Sequence, residues 1–247
     1  MAHPVNEIHF KTCTSAYNCL RDMARQIEAA LGNDGNWRIV FEDGLRGFAA
    51  RISTLTASLE LLDKPFDVPV AELSPEQWAI DTDQRTAEIF FGMDSALECF
   101  VFALNAIGYL KSPSDFCDIT TTKGLRQICP NNIASKNAQD KTNPRPGYAK
   151  YFPRVVACWS AHSELIGEVI TYHDVSKHRS CIVHTSSRGS HSLPNDPKSP
   201  SAIFRAATRT IEDLARDFHR FCESLLIETV EEISTVFGIA VTRVDHT

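Results

Sequence analysis

Apolar residues along most of this 247-residue chain recur three and four positions apart, the spacing of one face of an α-helix. The first such stretch covers residues 6–31 and stops at Gly32, ahead of an Asn-Asp-Gly sequence that favours a turn. A second stretch runs from Trp37 to Leu62. Two amphipathic stretches with a short connection predict a pair of antiparallel helices.

The third periodic stretch is apolar around more of its circumference. Residues 64–73 contain two prolines and predict an extended connection. Ser74 and Pro75 then supply a hydroxyl cap and a proline for the first helical position. From Asp83 to Leu110 two neighbouring apolar stripes run side by side. A helix of this kind is typical of the centre of a bundle, and we expect it to form the core.

Residues 112–150 interrupt the periodic pattern. They are rich in Pro, Asn, Thr and Lys and predict a long basic loop insertion. Single helical turns are expected near 114–117 and 123–128. A loop of this length in a compact domain is typically either functional or disordered.

Helical spacing resumes at Phe152, continues to His173 and leads directly into a stretch dense in reactive side chains. Residues 186–199 are polar and predict a second loop. Ser199 begins the last long helical pattern, which ends at Gly238. No strand-like alternation of useful length appears, and no internal repeat.

The predicted fold class is all-α, an antiparallel bundle of about five long helices. The basic insertion lies between the central helix and the helix that carries the reactive stretch. A single domain is expected over residues 1–247, made of N-terminal helices at 6–110, the insertion at 112–150, and the motif helix and C-terminal helix at 151–238.

Composition is that of a globular protein, with 43% hydrophobic and 23% charged residues. No run of eighteen apolar residues occurs, so no membrane span and no membrane partner are expected. The first residues lack the basic start and apolar run of a secretory signal. The eight cysteines are scattered without a C-x-x-C pair, which favours a reducing, cytoplasmic setting.

The net charge of −6 is unevenly distributed. Residues 119–209, here called the basic block, carry thirteen Lys and Arg against five acids, an excess of +8 that leaves −14 for the rest. A region of one sign can concentrate a polyanion such as RNA. The alternative interpretation is that its loops carry this charge without any ligand.

The stretch Tyr172–His184 packs three His, an Arg, a Lys, an Asp and a Cys into thirteen residues. On a continuous helix Asp174, His178 and Cys181 would share one face. They could ligate zinc with a fourth ligand from elsewhere, or form a Cys–His–Asp nucleophilic set. Side chains rising from one helix seldom reach triad geometry, so a structural interpretation is favoured for these three.

Two further histidines, His162 and His173, lie on the apolar stripe and are interpreted as packed, hydrogen-bonded core residues. The glycine patterns of nucleotide-binding loops are absent, as are H-E-x-x-H and G-x-S-x-G. Nucleotide-dependent and common hydrolase chemistries therefore have no support.

Arg179 is followed after four residues by His184, and no other Arg in the chain has a His at this spacing. This pattern, late in an all-helical chain, resembles the HEPN superfamily. Its members are helical-bundle proteins whose ribonucleases carry an Arg, four to six residues, then a His. Many members have Asn, Asp or His directly after the Arg, where this chain has Ser180. The resemblance implies a homodimeric, metal-independent endoribonuclease acting in defence or toxin–antitoxin settings.

The chemistry of RNA cleavage fits these residue types. Attack of the 2′-hydroxyl on the adjacent phosphate requires proton transfer, assigned to His184, and a cation over the phosphate, assigned to Arg179. It requires no metal or other cofactor. On a straight helix the two side chains would diverge by about 140°, so a distorted helix or a second motif across a dimer is expected. Supporting roles are assigned to Ser180 and His178, and phosphate contacts to Lys177 and Arg188.

Two alternatives stay open. The first is a non-catalytic helical module whose basic loops bind an anionic ligand, RNA or a protein partner. The second is an enzyme with a small-molecule site between its helices and a bound metal. Cleavage of RNA that survives EDTA separates the nuclease from both.

Overall fold

The computed structural model describes residues 6–31, 36–63, 74–134, 144–178, 185–187, 190–193 and 209–240. Eight α-helices lie within this part of the chain, and the all-α prediction is confirmed. Within it, no helix has both the length and the apolar character that crossing a membrane requires. The helices are α1 (Asn6–Leu31), α2 (Trp37–Asp63), α3 (Pro75–Lys111), α4 (Thr122–Leu125), α5 (Pro146–Tyr151), α6 (Pro153–Ala161), α7 (Ser163–His178) and α8 (Ile211–Phe237).

Packing divides the chain into two compact units, each assembled from segments distant in sequence. Neither unit is a continuous stretch, so each depends on long-range contacts. The expectation of a single domain stays a prediction. Unit 1 comprises Met1–Ala49, Leu97–Ser163 and Arg220–Thr247, and unit 2 comprises Ala50–Ala96 and Glu164–His219.

The 37-residue helix α3 has the buried character expected of it. Ser74 caps its first turn, where the Ser74 hydroxyl accepts a hydrogen bond from the Gln77 backbone N–H at 3.1 Å. The predicted apolar stripes are buried from Ile89 to Ile107, and Leu110 at their end is half-buried. The fully buried side chains of α3 include Ile89, Phe90, Met93, Leu97, Leu104 and Ile107.

In unit 1 the core is a row of aromatic rings. The Phe100 ring lies 5.8 Å from Phe48 and 6.3 Å from Trp159, measured between ring centroids. Trp159 in turn meets the Phe221 ring at 5.8 Å. Each such pair adds about 0.5–1.5 kcal/mol to the effect of burial alone. The row joins α2, α3, α6 and α8.

The insertion between α3 and α5 is more structured than a loop. Asn105 of α3, which is fully buried, donates to the Cys117 carbonyl at 2.9 Å and accepts from the Cys117 N–H at 3.0 Å. The Tyr148 hydroxyl donates to the same amide oxygen at 3.3 Å. The Phe116 ring fills the space that a Cβ would need at Gly108 or Gly147. These contacts hold the described parts of the insertion on α3. Its apolar runs are too short to show helical periodicity.

The helical pattern from Phe152 to His173 is two helices, α6 and α7, rather than one. Phe152 caps α6 and Pro153 opens it, so the pattern begins where predicted. His162 separates α6 from α7, with φ −108° and ψ 20°. Apolar spacing continues across this break, which is why the sequence predicts one helix.

The last helix begins later than its apolar pattern predicts, at Ile211 rather than near Ser199. Thr210 caps it, because its hydroxyl accepts from the Asp213 N–H at 3.0 Å. Residues 194–208 lie outside the described residues. The predicted end is confirmed at Gly238, whose φ of 67° favours glycine.

A short hairpin stands in the segment predicted as a polar loop. Its antiparallel strands are β1 (Thr185–Ser187) and β2 (Ser190–Ser192), with Thr185 opposite Ser192. The next residue, Leu193, is buried and donates from its N–H to the Arg209 carbonyl at 2.9 Å. Strands of three residues are too short for alternation to reveal them.

We expect Gly44→Ala to destabilise the protein by about 1–3 kcal/mol, because α2 and α3 touch at this residue. A Cβ there would lie 2.7 Å from the Ala103 backbone nitrogen and 2.9 Å from the Cys99 carbonyl oxygen. Gly92→Ala is the matched control. A Cβ at Gly92 meets nothing within 4 Å, so helix propensity should raise stability by about 0.5–1 kcal/mol. Urea unfolding measures both, and equal effects would contradict the close approach.

Candidate functional site

The predicted site residues lie at and beyond the end of α7. Lys177 is on its last turn and exposed, and His178 is its final residue, whose side chain is not described. The expected divergence of about 140° applies to a helix that continues to His184, whereas α7 ends at His178 and β1 begins at Thr185. The remaining predicted residues lie outside the described residues and stay predictions: Arg179, Ser180, His184 and Arg188.

One turn before the end of α7, a histidine and an aspartate form a buried pair in unit 2. The Nδ1 atom of His173 lies 2.8 Å from an Oδ2 atom of Asp94, which projects from α3. Their side chains are 11% and 15% exposed. In the neutral imidazole, Nδ1–H donates a hydrogen bond to the carboxylate, so Nε2 is the nitrogen with the free lone pair.

The Nε2 atom of His173 is buried and has no hydrogen-bond partner among the described residues. A buried acceptor left without a donor costs about 1–3 kcal/mol. The ring cannot turn to relieve this without breaking its bond to Asp94. The pair therefore holds an acceptor ready for a hydrogen-bond donor.

Aromatic side chains surround this pair, which we call the Asp94–His173 pair. Tyr172 stacks on Phe90 at a centroid distance of 4.8 Å, which fixes α7 against α3 immediately beside His173. Phe91 meets the His173 ring edge-on at 5.9 Å. Unlike Phe90, Phe91 is 51% exposed. An exposed aromatic ring thus adjoins a buried, oriented imidazole.

An imidazole held by a carboxylate on one nitrogen can accept a proton on the other. The sequence predicts His173 as a buried, hydrogen-bonded core histidine, and its burial and hydrogen bond confirm this. Its partner and its unsatisfied nitrogen were not predicted. The available signal was Asp94, an acid in the middle of the most apolar stretch of the chain.

His162, predicted in the same way, differs from His173. Its Nδ1 lies 2.9 Å from the Cys158 carbonyl oxygen, and its ring packs on Phe221 at 4.8 Å. It is half-buried, and no carboxylate holds it among the described residues. His162 is therefore a structural residue of unit 1 and a useful control for His173.

Three of the described cations of the basic block form ion pairs within the protein. Lys150 pairs with Asp115, Arg154 with Glu228 and Glu231, and Arg209 with Glu168 and Asp217. Four of these five acids come from outside the block, so the excess of +8 overstates its positive field. Among the described residues, three exposed cations of the block have no carboxylate partner: Lys123, Arg126 and Lys177.

Arg209 has a structural task in unit 2. It donates to Glu168 at 2.9 Å and to Asp217 at 2.6 Å. Burial raises the pKa of Glu168, and Asp217 adds to this rise, whereas Arg209 opposes it. The Arg209 guanidinium therefore offsets the repulsion between two neighbouring carboxylates. Its backbone carbonyl accepts the hydrogen bond from the Leu193 N–H at the hairpin.

Cys117 and Cys158 are poorly suited to nucleophilic chemistry. All six whose side chains are described are free thiols. Burial raises the pKa of Cys117, and it raises the pKa of Cys158 to about 11, with Glu228 contributing. At neutral pH these groups stay protonated, and the thiolate is the nucleophile. No cluster of three or more His, Cys, Asp or Glu suited to a metal ion occurs in the described part of the chain.

Comparison of the chain with known protein families, with curated proteins and with solved structures returned no match.

We expect Arg209→Ala to destabilise the protein by about 1–3 kcal/mol at pH 7, because two part-buried carboxylates lose their cation. Removing Arg209 raises the pKa of Glu168 further, so the charged form costs more in the folded state. The loss of stability develops as the pH rises above 4.5, the ordinary pKa of glutamate, and it is smaller at pH 4. Urea unfolding at both pH values measures it.

Arg216→Ala is the matched control. Its ion pair with Asp213 is similar in length at 2.7 Å, but both side chains are about half exposed. We expect a change within about 0.5 kcal/mol at either pH. A loss for Arg209→Ala as small as this would show that the Arg209 pairs contribute little.

Proposed function

We propose that the protein is a metal-independent endoribonuclease of HEPN type, with Arg179 and His184 at its centre. The observation that carries the proposal is the position of the motif. It follows α7 directly in an all-helical chain, beside Lys177, an exposed cation with no carboxylate partner among the described residues. That arrangement suits the approach of a phosphate backbone to the motif.

The reaction begins when the 2′-oxygen of a ribose attacks the adjacent phosphorus. A base takes the 2′-hydroxyl proton while the bond to the 5′-oxygen breaks, and an acid supplies a proton to that oxygen. The products are a 2′,3′-cyclic phosphate and a 5′-hydroxyl end. Arg179 stabilises the charge that develops on the phosphate, since its planar fork matches two phosphate oxygens.

His184 transfers one of the two protons in this scheme, with Ser180 and His178 as supporting residues. Lys177 and Arg188 contact the neighbouring phosphates. The resemblance to the HEPN superfamily further implies a homodimer, a cytoplasmic location and a role in defence or toxin–antitoxin systems, and these belong to the proposal. A second copy of the motif across a dimer would bring two Arg–His pairs together.

A second candidate function is a non-catalytic module that binds an anionic ligand. It is favoured by Lys123 and Arg126, which lie three residues apart on the described part of the insertion and are both exposed. Such a module would bind RNA or an acidic protein partner without cleaving it. Cleavage of RNA distinguishes the two candidates, because only the ribonuclease turns over its substrate.

We expect the purified protein to cleave single-stranded RNA at the same rate with and without EDTA. His184→Ala should lower the rate by about 10²–10⁴-fold through lost proton transfer, and Arg179→Ala by about 10²–10³-fold. Gel analysis of labelled RNA measures both. A substrate with a 2′-deoxy sugar at the cleaved linkage should resist cleavage, because it lacks the attacking hydroxyl.

His162→Ala and Arg216→Ala are the controls, since they remove the same residue types away from the motif. Equal cleavage by the wild type, both motif variants and both controls would assign the activity to a contaminant or another site. Tight RNA binding without any cleavage would support the binding module instead.

We expect Lys177→Ala to weaken RNA binding moderately and to lower its salt dependence, because one phosphate contact is lost. The slope of log K against log salt should fall by about 0.7 for a single-stranded ligand. Fluorescence anisotropy over a range of salt concentrations measures this. Lys123→Ala is the control. An equal fall of the slope in both variants would indicate that the insertion is part of the binding surface.

A further inference from the structure

The proposed cleavage needs two proton-transfer groups on opposite sides of the phosphate, and His184 of the motif supplies only one of them. The Asp94–His173 pair has the properties of the other. His173 is held by a carboxylate at 2.8 Å, its second nitrogen has no partner among the described residues, and it lies on the helix that leads into the motif. The inference that follows rests on the proposed function.

We propose that the Asp94–His173 pair and Phe91 form the nucleotide subsite of this ribonuclease. His173 Nε2 takes the proton of the attacking 2′-hydroxyl, and the exposed Phe91 ring stacks on the base of the same nucleotide. The ligand is therefore a single-stranded RNA with an unpaired base at the cleaved linkage.

The chemistry of Nε2 selects a hydroxyl-bearing ligand. Nδ1 donates to Asp94, so Nε2 offers only a lone pair and needs a donor. A ribose 2′-hydroxyl is such a donor, whereas phosphate oxygens are not. As the proton moves to Nε2, the imidazolium gains a full interaction with the Asp94 carboxylate 2.8 Å from its other nitrogen. The carboxylate therefore favours the proton transfer.

Phe91 provides both the access and the stack. It is 51% exposed and meets the His173 ring edge-on. In the proposed subsite, a change of the Phe91 rotamer uncovers the imidazole. Exposed side chains change rotamer within picoseconds to nanoseconds. An unpaired base that stacks on the displaced ring would hold the subsite open, as aromatic side chains do in other single-stranded RNA sites.

The proposed step balances without a cofactor. The bond between phosphorus and the 2′-oxygen forms as the hydroxyl proton passes to His173 Nε2. The bond between phosphorus and the 5′-oxygen breaks as protonated His184 gives its proton to the leaving oxygen. Water returns the proton from His173 to His184 between turnovers. His173 is thus the base and His184 the acid.

A substrate with sulfur in place of the bridging 5′-oxygen distinguishes these roles, because a thiolate leaves without being protonated. We expect His173→Gln to lower the cleavage rate by about 10²–10⁴-fold with either substrate. His184→Ala should be slow with the oxygen substrate and largely restored with the sulfur one. Asp94→Asn should behave as His173→Gln does, with a smaller loss.

His162→Gln is the matched control for His173→Gln and should cleave both substrates as the wild type does. Thermal unfolding of each variant shows whether it is folded at the assay temperature. A folded His173→Gln with the wild-type rate would overturn the inference and leave the proposed function standing. Restoration of His173→Gln by the sulfur substrate would also overturn it, since His173 would then be the acid.

The stack is tested by binding, independently of turnover. We expect Phe91→Ala to weaken binding of a 2′-deoxy-protected single-stranded RNA about 5- to 150-fold, and Phe91→Tyr to retain it. An abasic site at the stacked position should weaken the wild type equally and leave Phe91→Ala unchanged. Ile80→Ala is the control, because Ile80 is 60% exposed and only about 20° around α3 from Phe91.

The outcomes for the two proposals differ. A wild type that cleaves no RNA refutes the proposed function and the base role of His173 together. Cleavage with unaltered binding in Phe91→Ala refutes the stack alone. Equal weakening by Phe91→Ala and Ile80→Ala would identify a general apolar contact and also refute it.

Discussion

The helix α3 must be covered on nearly every side, and the rest of the fold follows from this. In unit 1 its apolar side chains are covered by α2, α6 and α8, through the aromatic row that centres on Phe100. The insertion closes over a further part of it through Asn105 and Phe116. In unit 2 the stack of Tyr172 on Phe90 covers it with α7. Two buried polar residues of α3 illustrate this, since Asn105 and Thr86 are both hydrogen-bonded.

Helical periodicity predicts the long elements because burial of one face is visible in the spacing of apolar residues. Ser74 and Gly238 could be assigned as helix ends, since both act through local chemistry. The break at His162 keeps the apolar spacing, so periodicity cannot reveal it. The Asp94–His173 pair joins residues seventy-nine positions apart, and only the packing of α7 on α3 brings them together.

Charge counted along the chain describes the field at the surface poorly. Arg154 and Arg209 contribute to the basic block in sequence, yet each lies between carboxylates from other segments. Lys177 contributes the same formal charge and stands exposed. The difference is the local pairing that folding creates. Among the described residues of the block, the exposed cations without a carboxylate partner lie on α7 and on the insertion.

The Nε2 atom of His173 is buried and has no hydrogen-bond partner among the described residues, which lowers the stability of the fold at this point. An apolar residue in its place would remove this desolvated acceptor, but it would also leave the Asp94 carboxylate without the hydrogen bond from Nδ1. With the imidazole in place, a ligand that donates a hydrogen bond to Nε2 would recover this lost stability when it binds. The helix α3 therefore supplies both core side chains and Asp94, the residue that orients this imidazole.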